Sequence, residues 1–318
     1  MQNTVKEELA VSMKGRDFLA LVDFSPEEVR YLIDLAIDLK KKQKAGETYH
    51  PLKGKTLGMI FEKSSTRTRV SFEVGMYQLG GHALFLSRND LQLGRGETVR
   101  DTAQTMSRYL DGIMIRTFAH RTVIELARGA TIPVINGLTD QSHPCQALAD
   151  YQTILEHKGR LEGLKMAYIG DGNNMAHSLL MGAAKLGMDI SVATPKGYEP
   201  DADVVKLTKE NAAETGSNIH VCYDPKEAID GADVVYTDVW ASMGFETEQT
   251  EREIAFADYQ VNDELVQYAK RDYLFMHCLP AHRGEEVSES VIDGANSIIF
   301  DQAENRLHAQ KAIMAAIM

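Results

Sequence analysis

The sequence predicts an α/β protein: two doubly wound parallel-sheet domains, with the active site in the interdomain cleft. Three observations predict it. Short apolar runs of strand length alternate with longer helix-patterned segments. The alternation restarts after Leu164. Polar clusters follow the strand ends, where ligands bind in open α/β sheets. A length of 318 residues suits about two domains. The expected division is 1–150 and 151–301, with a last helix over 302–318 packing back on the first domain.

The first clear helix opens at Ser25, a candidate N-cap, with Pro26 at its first position and Glu28 completing a capping box. Phe24 and Val29 would form a hydrophobic staple across that start. The basic KKKQK stretch suits a helix C-terminus, and Gly46 supplies a stop. TLGMIF (56–61) reads as a strand and VSFEVGMYQLG as a helix. HALFLS is a strand, and TVRDTAQTMSRYLDG a helix with apolar spacing near four. IMIR is a strand, RTVIELARG a helix and PVIN a strand. CQALADYQTILEHKG is a helix able to bridge two domains. After Leu164, KMAYIGDG is a strand and turn, and MAHSLLMGAAKLG a helix closed by Gly187. ISVATP is a strand and DADVVKLTKENAAETG a helix. IHVCYD, DVVYTDVW, YLFMHCLP and SIIF read as four more strands, and NRLHAQKAIMAAIM as an amphipathic final helix.

Composition narrows the function classes. Lys and Arg total 34 against 46 Asp and Glu, a net charge of −12. Such an acidic chain lacks the electrostatic footprint of a nucleic-acid binder. Hydrophobic residues at 44% and charged residues at 25% exclude wholesale disorder. Three cysteines, none in a CxxC pair, argue against a disulfide scaffold and for a reducing compartment. The N-terminal sequence lacks the apolar run of a signal peptide, and no stretch approaches the ~20 apolar residues of a membrane span. A cytoplasmic protein without membrane or nucleic-acid partners is expected.

Six clusters follow the strands: SSTRTR after Phe61, Arg116 after IMI, HPCQ after PVIN, GDGNN after KMAYI, DVWASMG after ADVVYT, and HCLP after YLFM. SSTRTR (64–69) sets hydroxyls and two arginines at the start of a helix. Unpaired N–H groups and the dipole make such a start an anion site; simple N-capping with surface arginines is the competing reading. It is not a P-loop, since the glycine–lysine signature is missing. In HPCQ, His143 could donate to a carbonyl oxygen that gains negative charge, or make one structural hydrogen bond. His143, Cys145, His277 and Cys278 raise the thought of zinc, but their spacings are not those of ligands. No metal and no cofactor is expected.

GDGNNMAHS (170–178) looks like a dinucleotide fingerprint, except that Met175 stands where a small residue is needed. A dehydrogenase is therefore a weaker alternative. The turn does offer the amides of Asn173 and Asn174. In DVWASMG, Asp238 could pair with a substrate ammonium or serve as a turn aspartate. Trp240, the only tryptophan, has packing as its default role. The charged segment 244–260 is either a lid or a solvated loop.

Together these motifs resemble the transcarbamylase family, and within it the ornithine carbamoyltransferases, over almost the whole chain. SSTRTR is similar to the family's carbamoyl-phosphate signature, HPCQ to its carbonyl-polarising turn, DVWASMG to the Ser-Met-Gly motif of ornithine users, and HCLP to its Cys-containing strand end. AENRLHAQ is similar to the segment whose arginine, here Arg306, reaches the carbamoyl group. The resemblance implies that Ser65, Thr66, Arg67 and Thr68 bind phosphate and the carbamoyl oxygen, and that Arg116 binds phosphate and the carbamoyl end. His143 and Gln146 would hold the carbamoyl group. Gln92 would reach the phosphate site of a neighbouring subunit in a catalytic trimer. Asn174, Asp238, Ser242 and Met243 would hold the amino-acid end of ornithine, while Cys278 and Leu279 line the site near the reacting amine. The catalytic set is then Arg67, Arg116, His143, Cys278 and Arg306. The implied activity is transfer from carbamoyl phosphate to L-ornithine, giving L-citrulline in arginine metabolism, by a homotrimer or an assembly of trimers. A carbamoyltransferase acting on another amine, such as putrescine, is the alternative.

Overall fold

A computed structural model of the chain describes residues 2–93, 96–242 and 246–318. By compactness the chain divides into two units, 1–152 with 304–318, and 153–303.

The first unit holds α1 (Gln2–Met13), α2 (Pro26–Lys44), β1 (Thr56–Phe61), α3 (Thr66–Gln78), β2 (His82–Ser87), α4 (Val99–Met106), β3 (Gly112–Arg116), α5 (His120–Gly129) and β4 (Val134–Leu138). Its four strands run parallel in the order β2-β1-β3-β4. β1, β3 and β4 are buried almost throughout, which explains why they read as continuous apolar runs rather than alternating ones. The capping box of α2 forms as the sequence predicts: Ser25 accepts from the Glu28 N–H, and Glu28 accepts from the Ser25 N–H. Gly46 follows that helix with a left-handed φ of 70°.

The chain passes to the second unit within α6 (Pro144–Lys158). There follow β5 (Lys165–Ile169), α7 (Asn174–Leu186), β6 (Asp189–Ala193), α8 (Ala202–Thr215), β7 (Ile219–Cys222), α9 (Pro225–Ile229), β8 (Val234–Thr237), α10 (Gln249–Ala255), β9 (Leu274–His277) and α11 (Glu289–Ile292). Its strands are parallel in the order β7-β6-β5-β8-β9. The last helix, α12 (Ile299–Ile317), begins in the second unit and continues into the first.

Each sheet therefore has one point where the strand order reverses, between β1 and β3 and between β5 and β8. Ligands bind beyond the carboxyl ends of strands at such switch points. The register sharpens this. Phe61 lies level with Arg116, Ile169 level with Thr237, and Thr237 level with His277.

Three readings need correction. SIIF is not a strand: only Ser297 bridges, to Phe275, and Ile299 and Phe300 already open α12. The Ile298 carbonyl accepts the Gln302 N–H, so the helical bond pattern overrides the local β preference. The helix expected over TVRDTAQTMSRYLDG stops at Met106; Ser107 turns its hydroxyl back to the Ala103 carbonyl and the chain turns before β3. The charged segment after 245 is not a plain solvated loop, since it carries α10 with Arg252 buried. Among the described residues no helix is long and apolar enough to cross a membrane.

Candidate active site

In the first unit the site starts at the turn after β1. Ser65 caps α3 by accepting the Thr68 N–H at 3.2 Å, and its hydroxyl donates to Thr68 Oγ1 at 3.1 Å. Thr66 is exposed and Arg67 half-buried, whereas Thr68 is fully buried. α12 brings Arg306 to this start, one of its guanidinium nitrogens donating to Thr68 Oγ1 at 3.1 Å and another to Gln146 Oε1 at 2.6 Å. Gln146 in turn donates to Asp150 one turn on in α6, at 2.8 Å. Thus the N-cap, the HPCQ turn and the C-terminal helix join in one hydrogen-bonded set.

His143 and Arg116 are buried beside that set. Burial first, then the charges of Arg306, Arg116 and Arg67, hold the His143 imidazole well below the ordinary histidine range. At neutral pH it is uncharged and keeps one N–H to donate. Three guanidinium groups around a neutral donor suit an oxygen-rich anion and an oxygen on which negative charge develops. Lys63 anchors the turn: it pairs with Asp140 at 2.5 Å, tying the β1–α3 connection to the loop before His143. The sequence carried no signal for that pair, which spans 77 residues. Gln92 does not join the set; it lies exposed in the segment after β2.

In the second unit the GDGNN turn follows β5. Asn173 caps α7, its Oδ1 accepting the Met175 and Ala176 N–H groups. Its Nδ2 donates to Asp238 Oδ2 at 3.1 Å and lies 3.4 Å from Ser242 Oγ. Asp238 Oδ1 accepts the Val239 N–H at 2.8 Å and the Cys278 thiol at 3.0 Å. Three strand ends, those of β5, β8 and β9, thereby meet at one buried carboxylate. Asn174 is the first residue of α7, half-buried beside them. Leu279 follows Cys278 with a left-handed φ of 58°, its N–H donating to His277 Nδ1 at 2.9 Å. His277 Nε2 then donates to the buried Glu286 at 3.1 Å. Met243 lies outside the described residues.

Sequence reasoning missed Arg252. Its guanidinium donates to Asp171 of the GDGNN turn at 2.9 Å and to the Trp240 carbonyl at 2.8 Å, and also meets Glu248. Burial, only partly offset by Arg252, pushes the Asp171 carboxyl up to about 6. Asn173 had a legible signal as a cap, but its bond to Asp238 spans 65 residues and had none.

The dinucleotide resemblance of GDG has another cause. A Cβ on Gly172 would lie 2.2 Å from Pro200 N and 2.6 Å from the Tyr198 carbonyl oxygen. This glycine is required by the chain's own backbone rather than by a pyrophosphate. As for metals, Cys145 is buried with its thiol pushed up to about 12 by burial, and it donates to the Asn136 carbonyl. Asp238, His277 and Cys278 place ligand atoms within 4.8 Å of one another, yet both ring nitrogens of His277 already hold hydrogen bonds.

Comparison with known proteins places the chain in a family. Residues 16–156 match the family model described as aspartate/ornithine carbamoyltransferase, carbamoyl-P binding domain, and residues 162–317 the model described as its Asp/Orn binding domain. The chain is similar to the ornithine carbamoyltransferase of Anoxybacillus flavithermus, 66% identical over 97% of this chain and 98% of that one. The enzyme of that name from Thermococcus kodakarensis is 60% identical over 98% of each chain. The solved ornithine carbamoyltransferase from Pyrococcus furiosus superposes with a TM-score of 0.94 at 58% identity, covering 96% of this chain and 98% of that one. With both family models matched in order and relatives 66% and 60% identical over nearly the whole chain, the chain belongs to the aspartate/ornithine carbamoyltransferase family.

Proposed function

We propose that this chain transfers the carbamoyl group from carbamoyl phosphate to the side-chain amine of L-ornithine, giving L-citrulline and phosphate. The observation that carries the reading is the first-unit constellation: Arg67, Arg116 and Arg306 around the neutral, buried His143, beside the capped start of α3. Ser65, Thr66, Arg67 and Arg116 take the phosphate. Arg306, Gln146 and His143 hold the carbamoyl group, and Thr68 donates to its oxygen. In the second unit Asp238, supported by Asn173, suits an ammonium, with Asn174, Ser242 and Met243 completing the amino-acid end. Cys278 and Leu279 border the reacting amine.

The chemistry follows. The ornithine side-chain amine has a solution pKa near that of lysine, about 10.4. It gives up one proton to solvent before it attacks; the second N–H proton leaves after addition. The neutral amine adds to the carbamoyl carbon, negative charge builds on the carbonyl oxygen, and arginine and His143 N–H donors stabilise it. Phosphate departs, and its own oxygens accept the proton. No protein base is required. Cys278 donates its thiol proton to Asp238, an arrangement that supports direct transfer rather than a covalent intermediate.

The relatives named above act as ornithine carbamoyltransferases, so the putrescine alternative is not favoured. We assign the chain to a homotrimer or an assembly of trimers. β2 is an edge strand with Leu84 and Phe85 exposed, and Val70 and Val74 are exposed on α3. A second copy would cover this apolar surface, with Gln92 exposed nearby in sequence to reach a neighbour's phosphate. Sedimentation at three times 35.3 kDa, or a multiple of that, is expected; a monomer in dilute solution would overturn the assignment. Three cysteines in no disulfide support a cytoplasmic location. The name of the Pyrococcus furiosus relative, an anabolic enzyme 58% identical to this chain, supports a place in arginine biosynthesis.

A citrulline assay tests the activity. Turnover is expected with ornithine and not with putrescine. Arg67→Gly should lower it by about a hundredfold to a thousandfold while the circular dichroism stays unchanged. Near-normal turnover of that variant would sink the phosphate assignment.

A further inference from the structure

The first unit has a second cationic recess, at the opposite end of its sheet. A cavity of about 580 Å³ opens between the end of α2, the 46–53 segment and the α3–β2 turn. Lys53 and Gly81 precede β1 and β2, whereas Ser65 and Arg116 sit at the far ends of the strands. A six-residue strand separates the two ends by about 20 Å.

The cavity contains a charge that the fold leaves uncompensated. Lys311 of α12 lines it and is 3% exposed. Its ammonium donates to Gln78 Oε1 at 2.8 Å and, among the described residues, meets no carboxylate. Burial lowers the ammonium to about 8, so near pH 7 it still carries most of its charge. A buried cation without an anion is costly. Lys42, Lys53 and His50 line the same wall. Among the described lining residues Glu47 is the one carboxylate, and it lies 3.8 Å from Lys42 at the exposed rim. Tyr49 and Tyr77 complete the wall with exposed rings. The volume falls within the roughly 300–1,000 Å³ range of small-molecule sites.

We propose that this cavity is a second anion site, separate from the catalytic one, that takes a small phosphate monoester carrying a ring. The phosphate supplies the counter-charge that Lys311 lacks, with Lys53 as a second partner. The ring lies against the tyrosines, which bare phosphate leaves unused.

Phenyl phosphate is the probe, titrated calorimetrically into the full chain carrying Arg67→Gly, which removes a phosphate-binding arginine of the catalytic set. One site per chain is expected, with inorganic phosphate binding more weakly. Adding Lys311→Met should weaken phenyl phosphate by about tenfold or more, and adding Lys53→Glu by several-fold. Lys53 is exposed, so its replacement keeps the test decisive if Lys311→Met fails to fold. In otherwise unaltered protein, Lys53→Glu should leave citrulline formation without the probe within about twofold of normal. Absence of binding in the Arg67→Gly protein overturns the proposal, as does an affinity that Lys53→Glu leaves unchanged. Equal affinity for phenyl phosphate and inorganic phosphate overturns the ring as part of the ligand.

Discussion

Asp238 shows how one buried carboxylate is held in place by its neighbours. Its two oxygens accept from a backbone N–H, the Cys278 thiol and the Asn173 amide. These donors fix the carboxylate in one orientation before any ligand arrives. Asp238→Ala removes the charge and strands the donors. It should lower kcat/KM for ornithine by about a hundredfold or more while largely sparing carbamoyl-phosphate binding. Equal loss of both ligands would count against the division of labour between the units. His143 makes the complementary point. Burial, reinforced by the arginines that would hold a phosphate, keeps the neighbouring imidazole uncharged, so it is available as a neutral donor. The residue types at both positions were readable from their place after a strand. The donors around Asp238 were not, because Asn173 and Cys278 stand 65 and 40 residues away in the chain.

At the scale of the element, the turn from β5 to α7 does two jobs with one residue. Asn173 caps the helix through Oδ1 and braces Asp238 through Nδ2. Gly172 lets that turn pass against the backbone of residues 198–200. Any Cβ there collides with main chain, which cannot swing aside as a side chain can. Gly172→Ala should therefore destabilise the second unit by about 2–3 kcal/mol and raise KM for ornithine, read by denaturation and steady-state kinetics. A variant as stable as the wild type would show that the 198–200 loop yields freely. Elements with strong local signals were legible. The capping box at Ser25 and the glycine end of α7 at Gly187 both formed as read. SIIF misled because β-branched residues such as Ile298 and Ile299 are also buried at the start of a helix when tertiary bonds hold it, while Phe300 points to solvent. Gln302 in that turn accepts from the His277 N–H and donates to Tyr236.

At the scale of the whole molecule, a chain of net charge −12 gathers its cations where anions are needed. α12 delivers three basic groups to the first unit, Arg306, His308 and Lys311, together with the carboxylate of Glu304. His308 is fully buried. Burial first, then the charge of Lys311, holds its imidazole at about 4, against 6.5 for an ordinary histidine. In the unfolded chain it takes a proton below about 6.5, and in the folded chain only near 4. Between those values the unfolded state binds more protons, so stability falls as pH falls through that window. From pH 7 to pH 5 the loss from this group should be about 2 kcal/mol, and His308→Leu should remove it. Denaturant titrations at both pH values check this; an unchanged difference in the variant would sink the assignment.

The sequence by itself determined what depends on near neighbours: strands from short apolar runs, helix starts from caps, and the SSTRTR, HPCQ, GDGNN and HCLP clusters after strand ends. These follow from backbone bonding and side-chain periodicity within a few residues. The family was legible for the same reason, since its motifs are contiguous. Only the tertiary structure decided which clusters share a switch point, through the strand orders β2-β1-β3-β4 and β7-β6-β5-β8-β9. Only it could bring Arg306 to Thr68 across 238 positions, bury Arg252 against Asp171, and leave the Lys311 ammonium on an amide oxygen, Gln78 Oε1, rather than on a carboxylate. Burial and long-range charge are properties of packing, and chain order records neither until the sheets are wound.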